Sequence, residues 1–479
     1  MNVPMIDGDS YLSEGTFRSR YVWLVASSGA LGGLLFGYDW VVIGGAKPFY
    51  EQYFQLGSPS LARWAMSSAL IGCLIGALSS GALSNRFGRR RLLTLAALAF
   101  AVSSIGVGLA QQLLVFVARR ILGGYAIGLA SGVSPVYIAE ISPAQLRGHL
   151  VSLNQLAVVV GILLAQLVNW TIARPVPPGS SPHDLLVFWN GQWGWRWMFA
   201  VTAIPSILFL IATFLVPESP RWLVIKGRTQ QAFRVLERLG GAHYTNDVLR
   251  KVKRVTHDTS PVHIRRELLS AGMLRPLMLG VVLAVLQQWC GINVIFNYAQ
   301  EVFAAAGYQV SDILFNIVVT GAVNLIFTFV ALFTIDRCGR RFLLLVGVSG
   351  LGIIYAVLGA FYSLHLHGKP MLFLVLAAIA CYAMSLAPVT WVVISEIFPN
   401  RLRGPAMSIS ITALWIAGFI LTYTFPLLNS SLGAAGTFWC YAGICLSGLL
   451  FLYLRLPECK GQSLEEIEAR LQTSAPLEK

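Results

Sequence analysis

The chain has 479 residues, of which 56% are hydrophobic and 12% charged, and its formal net charge is +14. A soluble domain has about a quarter charged residues, and no soluble shape could bury this much apolar surface. The composition therefore excludes an ordinary soluble enzyme and indicates an integral membrane protein. Because a helix needs roughly 20 apolar residues to cross a bilayer, the chain has room for about a dozen crossings.

The apolar segments predict an all-α membrane protein with 12 transmembrane helices in two parallel six-helix halves. The first set of spans covers residues 22–46, 64–84, 92–111, 114–138, 150–173 and 197–216. The second set covers 275–299, 313–335, 341–364, 370–396, 406–428 and 435–456. We therefore expect a first half over 1–216, a cytoplasmic linker over 217–274, a second half over 275–456 and a cytoplasmic tail over 457–479.

The linker carries apolar residues at helical spacing, among them Phe233, Leu236 and Leu239. This spacing predicts short cytoplasmic helices, either docked against the two halves or lying free in solvent. In the tail, Ser463 and Glu466 form a capping-box pattern that predicts the start of another helix.

Basic residues are concentrated in every other loop. Loops 86–91, 337–341 and 401–403 and the linker are rich in arginine, whereas the alternate loops have only isolated cations such as Lys47 and Arg63. By the positive-inside rule, this asymmetry predicts a multi-pass protein of the plasma (bacterial inner) membrane with both termini in the cytoplasm. The net charge is explained by topology, and we expect no nucleic-acid partner.

Motifs for catalysis or metal binding are not evident. The seven cysteines are scattered without a CxxC pair, and the histidines are isolated, so we expect no metal and no cofactor. The sequence also contains no HExxH, GxSxG or phosphate-binding loop, which disfavours a membrane enzyme.

Two phrases recur in the two halves. NRFGRR at 85–90 matches DRCGRR at 336–341, and EISPAQLRG at 140–148 matches EIFPNRLRG at 396–404. PESPR at 217–221 and PECKG at 457–461 end the halves in a similar way. A six-helix unit has been duplicated in one orientation, and parallel halves of this kind occur in transporters that rock around a midplane site.

The charged residues of these phrases predict a gating network at the cytoplasmic rim. Glu140 and Glu396 are placed to pair with arginines of neighbouring loops, holding the halves together when the site faces outward. One partly solvated pair contributes about 1 kcal/mol or less, but several together can bias two conformations. The alternative, that the arginines only determine topology, stays open. The predicted members are Arg86, Arg90, Glu140, Arg147, Glu218, Arg221, Asp336, Arg337, Arg341, Glu396, Arg403 and Glu458.

Uncharged polar residues within the spans predict a site for a neutral substrate rich in hydroxyl groups. The seventh span has Gln287, Gln288 and Asn293 close to Gly291. Amides both donate and accept hydrogen bonds, as hydroxyls do, and an indole offers an apolar face and an N–H. An isolated intramembrane amide can instead bridge two helices, so that interpretation stays open for single residues. The other candidates are Phe36, Gln155, Asn324, Trp391 and Trp415.

The repeated RxGRR and E(x)6RG motifs, PESPR and PECKGQSLEEIE together resemble the sugar porter family of the major facilitator superfamily, over essentially the whole chain. The resemblance implies the major facilitator fold. It also implies that the fifth-span glutamine, the QQxxGxN motif and the tenth-span tryptophan line a sugar pocket. The corresponding residues are Gln155, Gln287, Gln288, Asn293 and Trp391.

The chain departs from the family pattern at four positions. Asn85 replaces the usual aspartate, which weakens the charge network of the first half, and Cys459 replaces the threonine of PETKG. Ile162 and Leu414 stand where a proton-coupled member has glutamines. Because two polar contacts are lost, the resemblance does not imply which sugar is bound.

A single carboxylate, Asp39, lies in the apolar stretch LLFGYDWVVIGG at 34–45. A carboxylate in mid-bilayer costs roughly 2.5–3.5 kcal/mol on insertion scales, so we expect it to have a partner. The expected cation is Arg120 of the fourth span. Since a guanidinium keeps its proton, only Asp39 can change its charge, as a proton-coupling site requires; a static ion pair is the alternative.

The resemblance supports the proton-coupling interpretation, because proton-coupled sugar porters have Asp in GYD and Arg in RxxGG, whereas facilitative glucose transporters have Asn at the Asp position. We therefore expect a proton-coupled symporter that imports a hexose or pentose by alternating access and acts as a monomer in the lipid bilayer. A facilitative uniporter with the same fold stays open. A sugar sensor without transport is less favoured because the tail after PECKG is short.

Overall fold

The computed structural model describes residues 17–143, 145–175, 182–256, 268, 270–305, 310–366, 368–398 and 402–456. Within these ranges every regular element is a helix. Eleven of the helical segments are long and apolar enough to cross a membrane. The predicted fold class, an all-helical membrane protein, is thereby confirmed.

The first half contains five continuous spans and one composite span. The continuous helices are Ser19–Tyr53, Pro59–Phe87, Arg89–Gly108, Leu113–Ile141 and Arg147–Ile172. The sixth span consists of a π-helical turn, Asn190–Gly194, followed by Trp195–Ala200 and Ala203–Leu215; the short helix Pro182–Val187 precedes it. Several helices extend beyond the predicted apolar segments; the first, Ser19–Tyr53, continues past both ends of the predicted span 22–46.

The linker begins with the helices Pro220–Ile225 and Thr229–Thr256, the second of which is interrupted at Gly241. Ser219 caps the first of them by accepting a hydrogen bond from the Trp222 backbone N–H. Leu236 and Leu239 are buried in the main core, and the Leu239 carbonyl accepts a hydrogen bond from the Arg18 backbone N–H at 2.8 Å. The described contacts of this linker therefore join it to the first half. The tail 457–479 lies outside the described residues.

The second half has two interrupted spans. The seventh span is divided into Ala271–Trp289, Ile292–Asn297 and Ala299–Ala305, and the tenth into Lys369–Met384 and Leu386–Glu396. The eighth and ninth spans are the helices Val310–Cys338 and Arg340–Ser363.

The last helix, Arg403–Arg455, has 53 residues. At 1.5 Å per residue it would be about 80 Å long, far more than one crossing. At Gly433 the backbone has φ 67° and ψ 176°, a conformation that favours glycine. The chain turns there, between the predicted segments 406–428 and 435–456. The eleven helical segments therefore make twelve crossings.

Glycines allow close approach of the second and fourth spans. A Cβ on Gly124 would collide with the Ala69 backbone carbonyl, and a Cβ on Gly72 would collide with the Ile121 carbonyl. In lipid, helices associate through this kind of close packing, since burial from water gives no driving force.

We expect Gly124→Ala to destabilise the protein by about 1–3 kcal/mol, because a backbone atom has to move to admit the methyl group. The matched control is Gly81→Ala in the second span, where nothing lies within 4 Å of the added Cβ. Thermal unfolding in detergent measures both variants. Equal melting temperatures for the two would contradict the packing described here.

Candidate functional site

Asp39 and Arg120 form a buried ion pair between the first and fourth spans. Nη1 of Arg120 donates hydrogen bonds to both carboxylate oxygens of Asp39 at 3.0 Å. The side chains of Arg120 and Asp39 are only 3% and 7% exposed, respectively. The guanidinium also lies 5.4 Å from the centre of the Phe199 ring. In these surroundings, removing either charge would leave the other without a counter-ion.

The ion pair faces a small cavity at the interface between the halves, with about 20 Å³ of space for the centre of a water-sized molecule. The first and fourth spans contribute Asp39, Trp40 and Arg120 to its lining, and the second half contributes Asn297 and Thr422. A change at the ion pair can therefore be transmitted directly to the other half.

The three amides of the seventh span are buried beside the break in that span. Gly291 has φ 87°, a left-handed conformation accessible to glycine, and this ends one helix and begins the next. Across the break, Nδ2 of Asn293 donates to Oε1 of Gln288 at 2.6 Å. Nε2 of Gln287 donates to the carbonyls of Leu386 and Ala387 at 3.4 and 3.3 Å. The amides thus lie where two interrupted spans meet, with polar backbone close by.

An aromatic cluster joins the two halves beside these amides. The Trp415 ring centre lies 5.6 Å from that of Phe36 and 5.8 Å from that of Trp40. The Trp415 indole nitrogen is buried and has no hydrogen-bond partner. A Cβ added at Gly418 would lie 3.2 Å from Oε1 of Gln288 and 3.9 Å from the Trp40 ring, so the aromatic and amide groups adjoin each other. Together they present aromatic faces and an unused donor, which suit a hydroxylated ring.

No described contact links the remaining predicted substrate residues to this cluster. Asn324 is buried in the eighth span and Gln155 is half-buried in the fifth, and these two spans pack against each other. Trp391 is half-buried in the second segment of the tenth span.

Four residues of this region were not singled out from the sequence, among them Thr422, which lines the cavity. Trp40 lines the cavity with the ion pair and its ring centre lies 5.8 Å from that of Trp415. Asn297 also lines the cavity. Gln166 of the fifth span donates to the Thr320 hydroxyl at 3.5 Å. Gln166 and Asn297 are amides in apolar spans and could have been found by the criterion applied to the seventh span. The sequence offered no reason to select Trp40, because aromatic residues are common in apolar helices.

Repeated ion pairs occur at the basic end of the bundle, which we define as the end with loops 85–91 and 337–341. Arg89 pairs with Glu140 in the first half, with 3.0 Å between Nε and Oε2. Arg340 pairs with Glu396 in the second half, with 3.3 Å between Nη2 and Oε1. The predicted glutamates thus bind an arginine of a neighbouring loop. Each of these described pairs lies within one half.

The next arginine in each phrase also has an equivalent role. Arg90 donates to the Thr213 and Phe214 carbonyls at the end of the sixth span, and Arg341 donates to the Tyr453 carbonyl at the end of the twelfth. Oε1 of Glu218 accepts from the Arg89 and Arg90 backbone N–H groups at 2.9 and 3.1 Å. These contacts fix the basic end of each half as a unit.

The other predicted members of the charge network have different surroundings. Arg86 is exposed, with its guanidinium 5.2 Å from the centre of the Phe87 ring, and Arg147 donates to the Ala139 carbonyl. Arg221 and Arg337 are exposed. Glu458 and the side chains of Asp336 and Arg403 lie outside the described part of the structure. Within the described residues, no cluster of metal-ligating side chains is found.

Contacts between the halves occur at the opposite end of the bundle. Lys47 of the first span pairs with Glu301 of the seventh and lies 4.9 Å from the centre of the Tyr298 ring. Arg63 of the second span lies 5.4 Å from the centre of the Tyr423 ring of the eleventh. This end is therefore closed by pairs that cross the interface.

Comparison with known proteins gives matches along almost the whole chain. The model of the family described as "Sugar (and other) transporter" matches residues 25–471. The D-xylose-proton symporter of Escherichia coli K12 is 37% identical, covering 95% of this chain and 96% of that protein. The arabinose-proton symporter of Bacillus subtilis is 36% identical, covering 94% of each. A partially occluded, inward-open structure of the E. coli xylose transporter superposes with a TM-score of 0.81 at 35% identity, covering 93% of this chain and all of that one.

The two repeated ion pairs differ in burial, and this predicts different effects on stability. The side chains of Arg89 and Glu140 are 9% and 7% exposed, whereas those of Arg340 and Glu396 are 16% and 24% exposed. We expect Glu140→Gln to lower the free energy of unfolding by about 3 kcal/mol, because it leaves a buried cation unpaired. Glu396→Gln should cost about 1 kcal/mol. Thermal unfolding of the two variants measures the difference; an equal or reversed order would contradict it.

Proposed function

Because the chain belongs to the sugar transporter family, we propose that it imports a neutral monosaccharide, a hexose or a pentose, together with a proton. Membership confirms the family predicted from the repeated motifs, and it makes the chain a transporter and not an enzyme. Two of its relatives are named as a D-xylose-proton symporter and an arabinose-proton symporter, and they cover 95% and 94% of this chain. The observation that carries the proposal is the buried pair of Asp39 and Arg120.

Asp39 is the proposed proton-coupling residue and Arg120 its permanent partner. In the described conformation the carboxylate is held by the guanidinium and faces the interface between the halves. When Asp39 takes up a proton, the attraction to Arg120 falls and the first span is released from the fourth. Proton binding thus changes the free-energy difference between two arrangements of the halves, which is the requirement for coupling.

The proposed sugar site consists of the amide and aromatic clusters around the break in the seventh span. Gln287, Gln288 and Asn293 offer both donors and acceptors, and Trp415 offers a buried indole N–H with no other partner. Phe36 comes from the opposite half, so a bound sugar would contact both halves. Gln155, Asn324 and Trp391 would complete the wall.

The halves 1–216 and 275–456 are the proposed moving bodies, joined by the linker 217–274. The described conformation has crossing contacts at the end opposite the basic loops, whereas the described ion pairs at the basic end stay within each half. This is the pattern that an inward-facing state would have. The outward-facing state would require pairs across the basic end, drawn from the predicted charge network.

The orientation in the membrane is part of the proposal. The basic end would face the cytoplasm, with both termini on that side, in the plasma (bacterial inner) membrane. The protein would act as a monomer in the lipid bilayer, since each chain contains both halves of the proposed site.

We expect Asp39→Asn to abolish accumulation of sugar against its gradient while retaining counterflow, because the amide keeps the shape but cannot bind and release a proton. The measurement is uptake of a panel of pentoses and hexoses by proteoliposomes with and without an inward proton gradient. The matched control is Asp312→Asn, which changes an exposed carboxylate at the start of the eighth span.

Wild-type protein that only equilibrates sugar would indicate a uniporter and reject proton coupling altogether. If the wild type accumulates sugar and Asp39→Asn does so equally well, coupling exists and Asp39 is not its site.

Gln288→Ala should raise the KM for sugar about fivefold, the effect of losing one hydrogen bond of roughly 1 kcal/mol. Proton-driven accumulation at saturating sugar should persist, because Asp39 and Arg120 are intact. Gln192→Ala is the control, since Gln192 bonds the Leu186 carbonyl outside the proposed site. An unchanged KM for every transported sugar in Gln288→Ala would remove this residue from the site.

A further inference from the structure

The cavity beside the ion pair has an unusual set of unpaired polar atoms. Oδ1 of Asn297 and Oγ1 of Thr422 are buried and have no hydrogen-bond partner. Nε of Arg120 is also buried and without a partner. The residues Asn297 and Thr422 are 4% and 2% exposed, and all three line the cavity. A buried polar atom without a partner costs about 1–3 kcal/mol, so three around one cavity need an explanation.

Thr422 differs from the other described threonines of its helix. The hydroxyls of Thr412, Thr424 and Thr437 each donate to a carbonyl one turn earlier, which is the usual way for a helical threonine to satisfy its hydroxyl in an apolar setting. Thr422 makes no such bond. Its own carbonyl accepts from the Tyr298 hydroxyl at 2.6 Å, which ties the eleventh span to the seventh at this level.

Water explains these features together. A buried water molecule makes about three hydrogen bonds to otherwise unsatisfied groups and needs a polar site with sufficient room. The cavity has about 20 Å³ of space for the centre of a water-sized molecule, which is enough for about one water. It is lined by Asp39, Arg120, Asn297 and Thr422 among others. A hydrocarbon-lined void would stay dry, but this one has a charged pair on one wall and two unpaired oxygens on the other.

We propose that this cavity holds water that passes the proton to and from Asp39, and that Asn297 and Thr422 are positioning residues for that water. The inference rests on the proposed proton-coupled function. Asp39 and Arg120 belong to the first half and the two oxygens to the second, so the water site is complete only while the halves have this arrangement. Access of the proton to Asp39 is thereby linked to the position of the second half.

Other ionisable groups also interact with Asp39 and must be considered in any pH measurement. Among the described residues these are the guanidinium of Arg120 in the fourth span, the Cys73 thiol in the second and the neighbouring Tyr38 hydroxyl in the first. The Cys73 side chain also lines the cavity. The proposed route ends at Asp39, and the test variants leave these three groups in place.

The test compares proton uptake with sugar counterflow in proteoliposomes. An enclosed pH-sensitive dye records the proton flux that follows addition of a transported sugar, and labelled sugar records counterflow. We expect Thr422→Val and Asn297→Leu each to lower the ratio of proton flux to counterflow about five- to tenfold. Each variant replaces the side chain with one of similar size that lacks the water-binding oxygen. Thr422→Ser, which keeps the hydroxyl, should restore the wild-type ratio.

The control for a buried amide outside the cavity is Asn316→Leu. Asn316 is buried in the eighth span, and its Nδ2 also lacks a partner, so any general effect of removing such an amide would appear there. An unchanged ratio in Thr422→Val and Asn297→Leu would overturn the inference. So would an equal fall in Asn316→Leu, or a failure of Thr422→Ser to restore the ratio.

Failure of the proposed function would look different, because the wild-type protein itself would then show no proton flux on addition of sugar. An experimental structure with resolved waters provides a readout independent of activity. We expect an ordered water within hydrogen-bonding distance of Oγ1 of Thr422 or Oδ1 of Asn297, and an ordered but dry cavity would overturn the inference.

Discussion

The proposed transport cycle depends on a buried pair of opposite charges, Asp39 and Arg120, which lies inside an apolar helical bundle. In a medium of low dielectric constant, neither ion is tolerated without the other. The pair therefore fixes the first span against the fourth, both within the first half. It also faces the second half across a cavity. A change in protonation at this one position consequently acts both on the packing of its own half and on the interface.

The neighbouring polar groups are arranged around breaks in helices. The seventh span is interrupted at Gly291 and the tenth at Ser385, and Gln287 bonds backbone carbonyls at the second break. Irregular backbone within a membrane is tolerated where it lines a cavity or is buried in protein. The same positions that destabilise a continuous helix thus provide hydrogen-bonding groups for a hydroxylated substrate. Trp40 contacts Trp415 of the aromatic cluster and lines the same cavity as Asp39 and Arg120, so the proposed sugar site and the ion pair adjoin each other.

The sequence was sufficient for the fold class, which follows from the apolar segments, and for the family, which follows from the repeated motifs. It was also sufficient for the pairing of Asp39 with Arg120, because a lone charge in lipid is costly and few cations lie within the spans. It identified Glu140 and Glu396 but not their partners. Gly88 has φ 101°, and the chain turns there. Arg89 consequently reaches Glu140, whereas Arg86 stays exposed. Which arginine pairs with the glutamate depends on backbone geometry that residue types do not specify. Asn297 could have been found as an amide in an apolar span, whereas Thr422 was missed because its importance arises from residues more than 100 positions away in the chain.

The central claim is that Asp39 takes up and releases a proton during transport. Infrared difference spectroscopy of the protein in liposomes, recorded as the pH is lowered in the presence of a transported sugar, tests it most directly. The account predicts the band of a protonated carboxylic acid that is absent from the Asp39→Asn protein and unchanged in Asp312→Asn. The same band in Asp39→Asn, or no such band in the wild type while sugar is being accumulated, would contradict it.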